Sequence, residues 1–530
     1  MATETPPATD DGDALPIAPT VAAAAVAAAV VVPLLWLVKT SLSVGLGPAL
    51  SLLVRPATAE VFLNSGLMVA GVTAASVSVG VPLAYLTVRT DLPFRRLWTV
   101  VVSLPLVIPS YIGAFAFVSA FGSRGVVQRL VGVESLPSIR GYWGAVLVLT
   151  LYTYPYVYIT ARAALKSLDT TLIDAARTLE HSRLTAFRRV TLPQIRPAVA
   201  AGSLLVALYA LSDFGTPTIM AFDAFTKVIY TEFNIGNQDF ASLLSLQLVG
   251  VTVFVLWLES RVRGDEPLSG GRQGGRRSAT VPLGRWRYPA MALPAAVGGL
   301  ALAVPLAVLL TWLAAPGDAV GTGLSLGVET VVDSVGVAGG AALAATAGGL
   351  PIAYLAARHR SDLTEGFERL SYVGYAVPGV VLGLALVYLG ARVLTPLYQT
   401  VYLLVFAYVV RFLPQAVGSM RASFLRVNPQ LPEAARTLGR TSAGAFREVT
   451  MPLVAPGVVG GAALVFLTTM KELPVTLLLA PAGFDTLVVH IWTVYESGHF
   501  GQAAVPALVL LGVSGLSMLV ILSQEGYDVK

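Results

Sequence analysis

Two acidic residues interrupt apolar stretches of the chain at matched positions. Asp213 and Glu472 are 259 residues apart, and each lies near the end of a run long enough to cross a membrane. Charged side chains within a span are costly and usually face a cavity or a partner. Asp213, Glu472 and the adjacent Lys471 therefore predict a translocation path that could attract a cation. The alternative is that the acidic groups cap helix ends or pair locally, for example with Lys471 or Arg411.

The chain offers little for a resident metal ion or for catalysis. Cysteine is absent, and the four histidines have no ligand spacing (His181, His359, His490 and His499). A phosphate-binding loop needs Gly-Lys-Ser/Thr after a glycine-rich turn, whereas Lys39-Thr40 and Lys166-Ser167 follow Val and Leu. We predict no catalytic residue, no metal ligand and no cofactor bound by this chain, so the chain is not itself an enzyme.

A polar segment occurs twice, at a constant shift of 259 residues. The first copy contains Asp174, Ala175, Ala176, Glu180 and Pro193, and the second contains Glu433, Ala434, Ala435, Gly439 and Pro452. Pro155 and Pro414 upstream keep the same shift. A repeat of this period in so hydrophobic a chain indicates two tandem membrane units with a path between them.

Each copy of the repeat reads as a short helix with one apolar face. Leu431, Ala434, Ala435 and Leu438 fall at i, i+3, i+4 and i+7, as do their counterparts in the first copy. Small alanines allow a helix to sit closely in a groove, and the acidic residue before them could pair with an arginine of a partner. An amphipathic helix on the membrane surface is the alternative. Because two copies occupy matched positions, we predict a docking site for a partner protein.

Composition indicates an all-α membrane protein. Hydrophobic residues make up 55% of the chain and charged residues 12%, whereas soluble proteins carry about a quarter charged residues. Runs of about 20 apolar residues predict about 12 transmembrane helices in two homologous six-helix halves, near 19–38, 64–88, 97–121, 142–164, 197–216, 241–259, 288–314, 331–357, 370–391, 400–422, 456–478 and 503–523.

The basic residues predict the orientation. With the N-terminus inside the cell, 26 Lys and Arg residues lie on inside loops and seven on outside loops. Twelve spans then place the C-terminus inside as well. The basic balance therefore reflects membrane topology, and we expect no nucleic-acid partner.

Five regions follow from these boundaries. We expect a disordered cytoplasmic tail at 1–17, a first half at 18–259 with a loop at 165–196, and a cytoplasmic Gly/Arg-rich linker at 260–287. A second half follows at 288–523 with a loop at 423–455, and then a tail at 524–530. The linker reads as a flexible connection, and its arginines could hold anionic lipid headgroups.

The repeated motif resembles the signature loop of binding-protein-dependent ABC importer permeases. That pattern is acidic-Ala-Ala, three residues, Gly, nine residues, then aliphatic-any-Leu-Pro. The second copy fits with Met451 in place of Leu, whereas the first has Asp174 in place of Glu and Glu180 where Gly is expected. The resemblance implies a type I importer permease fold whose loops couple to two copies of an ABC ATPase, with ATP and Mg²⁺ held by that ATPase. It also implies an extracytoplasmic solute-binding protein and a place in the plasma membrane of a bacterium or archaeon.

Further stretches resemble the fused permeases of ferric-iron importers. They include Ser212-Asp213-Phe214-Gly215-Thr216-Pro217 in the first half and Lys471-Glu472-Leu473-Pro474-Val475-Thr476 in the second. Permeases for thiamine, polyamines and phosphonates share parts of the pattern and stay open as alternatives. An ion-coupled secondary transporter would also have two six-span halves, but the paired inside loops argue against it.

Overall fold

The computed structural model describes residues 15–122, 132, 138–168, 185, 187–263, 280–314, 326–359 and 361–524. The first half contains α1 (Ile17–Leu42), α2 (Leu46–Leu53), α3 (Pro56–Arg89), α4 (Arg95–Ser103), α5 (Ser110–Phe121), α6 (Tyr142–Ser167), α7 (Leu192–Ser212), α8 (Gly215–Ile219), α9 (Phe225–Asn234) and α10 (Gln238–Arg263). The second half contains α11 (Ala292–Gly298), α12 (Val304–Leu313), α13 (Val328–Arg358), α14 (Asp362–Ala376), α15 (Gly379–Arg392), α16 (Val401–Arg426), α17 (Gln430–Thr437), α18 (Ser442–Ala445), α19 (Met451–Met470), α20 (Pro474–Leu479), α21 (Leu487–Glu496) and α22 (Ala504–Gln524).

The spans divide equally between the halves. Within the described ranges, ten continuous helical stretches are long and apolar enough to cross a membrane, five in each half. Each half adds one bent pair, Arg95–Val107 with Ser110–Phe121 and Asp362–Ala376 with Gly379–Arg392. Counting each bent pair as one span gives twelve, which confirms the prediction of an all-α membrane protein with two six-helix halves.

The bent pairs correspond to the spans predicted near 97–121 and 370–391. The chain turns by 95° in the first pair and by 102° in the second. Both turns occur at an aliphatic-proline step, Ile108-Pro109 and Val377-Pro378, where all four residues are extended. Proline disfavours helical backbone in the residue before it. Each span is therefore interrupted at the same place in the repeat.

The helices α7 and α19 also end earlier than the apolar runs predict. Expected spans at 197–216 and 456–478 stop at Ser212 and Met470, and a short helix, α8 or α20, follows each break. The breaks contain Asp213 in one half and Lys471-Glu472 in the other. The charged residues therefore lie where the main chain leaves the helix and exposes polar groups.

The first helices of each half pack against the other half. Helix α1 contacts α13, α14 and α15 of the second half, while α11 and α12 contact α4 and α5 of the first. Ala23, Val30 and Leu37 are buried at seven-residue spacing in this contact, which is the spacing of one helix face. The fused chain therefore forms one core across both repeats.

The end of the linker is folded onto the first half. Val281 donates from its N–H to the carbonyl of Arg89 at 2.8 Å, and Asp91 donates to the carbonyl of Val281 at 3.3 Å. The N–H of Leu283 donates to the Asp91 carboxylate at 2.8 Å. Helix α10 continues to Arg263, four residues into the predicted linker, and residues 264–279 lie outside the described part of the chain. Residues 281 and 283, at the end of the predicted flexible linker, are therefore anchored to the first half by hydrogen bonds.

Candidate functional site

A cavity lies between the two halves, about halfway along their spans. Its volume is about 210 Å³. Tyr152 and Tyr156 on α6, and Arg411 and Gln415 on α16, line it from the eleventh and fifteenth positions of 26-residue helices. Sixteen of the 23 lining residues form pairs related by the internal repeat: Leu106/Tyr375, Tyr152/Arg411, Tyr156/Gln415, Tyr209/Thr468, Ser212/Lys471, Asp213/Glu472, Phe214/Leu473 and Gly215/Pro474.

The two predicted acidic residues both line this cavity, and both accept a hydrogen bond from an N–H group in the first turn of a short helix. Asp213 accepts a hydrogen bond from the N–H of Thr216 at 2.8 Å, and Glu472 accepts one from the N–H of Val475 at 3.4 Å. A carboxylate that satisfies free N–H groups at a helix start is typical capping geometry. Both residues therefore face the cavity and also bond to the start of the helix that follows them.

Glu472 forms a buried ion pair with Arg411. The distance from Arg411 Nε to Glu472 Oε2 is 3.1 Å, and the side chains are 15% and 7% exposed, respectively. Arg411 also donates from Nη1 to the carbonyl of Val377 at 3.1 Å. A Cβ added at Gly379 would collide with both Glu472 and Arg411, so the pair fits only because this position is glycine. The alternative that Glu472 pairs locally with Arg411 is thus confirmed.

Lys471 links the two halves. Its Nζ donates to the carbonyl of Leu106 at 3.0 Å, across the cavity from the second half to the first. Leu106 belongs to the 3₁₀ turn just before the bend at Pro109, where a helix end leaves carbonyl groups free to accept. The Lys471 side chain of the second half therefore binds the bent span of the first half.

Asp213 has a different environment from Glu472. Ser110 occupies the repeat position of Gly379, and its hydroxyl donates to Asp213 Oδ2. Tyr209 donates from its hydroxyl to Ser110 Oγ at 3.2 Å. Among the described residues, hydroxyl and N–H groups satisfy Asp213, and no Lys or Arg pairs with it. The first half therefore presents an oxygen-rich wall, and the second half presents an ion pair and a lysine.

Sequence reasoning missed Ser110, Tyr111 and Tyr209. Tyr209 lies four residues before Asp213, so the two share a helix face, and that spacing was a usable signal. Ser110 and Tyr111 are about a hundred residues away in the chain. The fold brings them to Asp213 because α5 starts at the bend beside α8.

The described residues show no metal cluster. No group of three or more His, Asp or Glu side chains in the described ranges is placed to hold a metal ion. His490 pairs instead with Asp485, at 2.9 Å from Nδ1 to Oδ2.

The second copy of the repeat is fully described. Glu433, Ala434 and Ala435 lie on α17; Leu431 on the same helix is 46% exposed, and Leu438, just after its end, is 85% exposed. Gly439 has φ +88°. It ends the helix in a Schellman motif, because Gly439 N–H donates to Arg436 and Arg440 N–H donates to Ala435. The exposed face is available to a partner.

Pro452 and Pro193 occupy matched places at the helices that follow the repeats. Each lies two residues after the end of a π-helical turn, Phe446–Thr450 or Phe187–Thr191, inside a continuous helical stretch. Asp174, Ala175, Ala176 and Glu180 of the first copy lie outside the described residues.

Comparison with known proteins assigns the family. The profile described as "Binding-protein-dependent transport system inner membrane component" matches residues 76–263 and again 349–528. The chain belongs to this family. It is thus a fused permease of a binding-protein-dependent ABC importer: a multi-pass inner-membrane transport subunit, without an enzymatic role of its own, that works with a solute-binding protein and an ATPase.

Several relatives are similar to this permease over different lengths. An Fe(3+)-transport system permease of Haemophilus influenzae is 31% identical, covering 92% of this chain and 94% of the relative. A probable ABC transporter permease of Sinorhizobium fredii is 27% identical, covering 82% and 81%. A probable molybdenum ABC transporter permease of Haloferax volcanii is 32% identical, but it covers 35% of this chain and 68% of the relative. The similarity to molybdenum permeases is therefore confined to a part of this permease.

Proposed function

We propose that this permease imports ferric iron delivered by an extracytoplasmic solute-binding protein. The observation that carries the proposal is similarity over nearly the full fused length to a relative named for Fe(3+) transport. The oxygen-rich wall of the cavity supports it, because Fe³⁺ is a hard cation and binds carboxylate, phenolate and water oxygens.

The path runs through the cavity, past Asp213, Lys471 and Glu472. All three line it, and they lie at the breaks of α7 and α19. Broken helices near the middle of a membrane are a common way to build a transport site between two repeats. Rocking of one half against the other would open this place alternately to the two sides.

The repeat loops transmit the force of ATP hydrolysis. Each loop docks on one ATPase subunit, so the fused chain serves two ATPase copies, and ATP and Mg²⁺ are bound there and not by this chain. In the second loop, Glu433 precedes an alanine pair on a helix with exposed Leu431, and Leu438 just after its end is also exposed. The basic residues around both loops support a cytoplasmic location for the loops and for both chain termini.

Molybdate is a second candidate substrate. Arg411 and Lys471 line the cavity, and part of the chain is similar to permeases named for molybdenum. An oxyanion would need a free cation. Arg411 is already paired with Glu472, and Lys471 already donates to a carbonyl, so the geometry favours iron. Thiamine, polyamines and phosphonates stay as further alternatives from the sequence.

Transport in proteoliposomes tests the substrate. The permease, its ATPase and its binding protein are reconstituted with ATP on the ATPase side, and uptake of ⁵⁵Fe(III) and ⁹⁹Mo-molybdate is compared. We expect ATP-dependent iron accumulation that unlabelled molybdate, thiamine and polyamines do not reduce. Binding-protein-stimulated ATP turnover without iron accumulation would leave the importer in place and overturn the substrate.

A further inference from the structure

One wall of the cavity holds an acidic group that lacks a cationic partner. Glu472 is neutralised by Arg411 at 3.1 Å. Asp213, at the equivalent place in the first half, is surrounded among the described residues by the hydroxyls of Ser110 and Tyr209 and the N–H of Thr216. A carboxylate without a cation inside a membrane protein is costly, and such residues usually serve a transported or bound group.

Tyr111 is an independent observation on the same wall. It follows Ser110 at the start of α5, lines the cavity and is 5% exposed. Its hydroxyl has no hydrogen-bond partner in the described structure, although buried hydroxyl groups are nearly always bonded. Tyr111 packs directly against Gly215, two residues from Asp213. A buried phenol hydroxyl without a hydrogen-bond partner therefore lies on the same cavity wall as a carboxylate without a cation, and a ligand could complete this arrangement.

We propose that Asp213, Tyr111, Tyr209 and Ser110 form a transient binding site for Fe³⁺ on the first-half wall of the cavity. This site rests on the proposed iron import, and it is where the ion would bind during its passage. The carboxylate and phenol oxygens are the hard donors that the ion prefers, and a phenol that binds it releases its proton to water in the cavity. The second half supplies no equivalent site, because Gly379 and Thr468 replace Ser110 and Tyr209 and Arg411 occupies its carboxylate.

Three conservative variants test the site while preserving the fold. Asp213→Asn keeps an oxygen that accepts from Thr216. Tyr111→Phe removes a hydroxyl that has no partner, so folding should not suffer. Tyr209→Phe removes the hydroxyl that donates to Ser110. Tyr154→Phe is the matched control, because Tyr154 is a buried tyrosine outside the cavity lining whose hydroxyl donates to Val102 at 2.7 Å.

The full transporter in nanodiscs is titrated with Fe(III) citrate, and the visible charge-transfer band of iron–phenolate is recorded with ⁵⁵Fe uptake. We expect a band in the wild type and in Tyr154→Phe. We expect a weakened band in Tyr111→Phe and Tyr209→Phe, and an affinity reduced about tenfold or more in Asp213→Asn, as for other changes around a metal. Binding-protein-stimulated ATP hydrolysis should persist in the control Tyr154→Phe.

The outcomes separate the site from the substrate. If the wild type imports iron and Asp213→Asn and Tyr111→Phe import it equally well, the site is wrong and iron import stands. If Tyr154→Phe loses as much uptake as Tyr111→Phe, the effect is not local and the site is again overturned. If the wild type turns over ATP but imports no iron, the proposed substrate is wrong, and the site falls with it.

Discussion

Arg358 donates a hydrogen bond from Nη2 to the main-chain carbonyl of Val427 at 2.9 Å. Arg358 ends α13, and Val427 is the first residue after α16, where the second repeat loop begins. Arg89 reaches the carbonyl of Leu168 in the same way in the first half, at 3.5 Å. Each arginine thus ties the start of one repeat loop to a neighbouring span, and we expect movement of the loop to be passed to that span.

Arg358→Gln should reduce the amount of substrate imported per ATP hydrolysed. A hydrogen bond from a charged donor contributes about 1.5–3 kcal/mol, and its loss frees the loop from α13. The ratio of ⁵⁵Fe uptake to phosphate release measures this coupling. Arg369→Gln is the control, since Arg369 is 81% exposed and pairs with Glu365 on the same helix. Equal ratios in the two variants would contradict the role of Arg358.

Charge reversal in both repeat loops should uncouple transport. Asp174→Lys together with Glu433→Lys places repulsive charge where we expect an arginine of the ATPase, so ATPase association and transport should fall while membrane insertion is unchanged. Co-purification of the ATPase with the permease measures association. Glu365→Lys, which breaks an exposed ion pair with Arg369 on α14, should retain the ATPase. Normal transport by the double variant with both ATPases bound would refute docking.

Breaking the Arg411–Glu472 pair should destabilise the permease strongly. Glu472→Gln leaves a buried guanidinium without its counter-charge, and loss of one partner of a buried pair typically costs about 3–5 kcal/mol. Thermal unfolding in detergent measures the effect. Asp223→Asn breaks the partly exposed pair with Lys227 and should cost under about 1 kcal/mol. Similar losses of stability in the two variants would show that the buried pair stabilises the permease no more than the partly exposed pair does.

Gly439→Glu would give the second loop the residue that Glu180 contributes to the first. Gly439 has φ +88° with open space around it, so the cost arises from the backbone conformation, at about 1–2 kcal/mol. We expect weaker ATPase binding, measured by titration of the ATPase onto the permease. Gly366→Glu, inside α14 with nothing within 4 Å of its Cβ position, controls for the added charge. An unchanged affinity in Gly439→Glu would mean that the left-handed residue is dispensable.

The sequence by itself determined the membrane class, the number of spans in each half and the two-fold repeat. These features depend on local properties: the length of apolar runs, the positions of proline, and a shift of 259 residues between matched motifs. The spacing of Leu431, Ala434, Ala435 and Leu438 likewise predicted α17, because an amphipathic helix is encoded within a few turns.

Only the tertiary structure decided which groups meet in the cavity. Asp213 and Ser110 are 103 residues apart, and Arg411 and Glu472 are 61 apart, so their contacts depend on how spans rotate and cross. The bends at Pro109 and Pro378 also required it, since a proline permits a break but does not set an angle of 95° or 102°. The sequence presented Asp213 and Glu472 as equivalents. Packing made them different, because Ser110 donates to one and Gly379 leaves room for Arg411 beside the other.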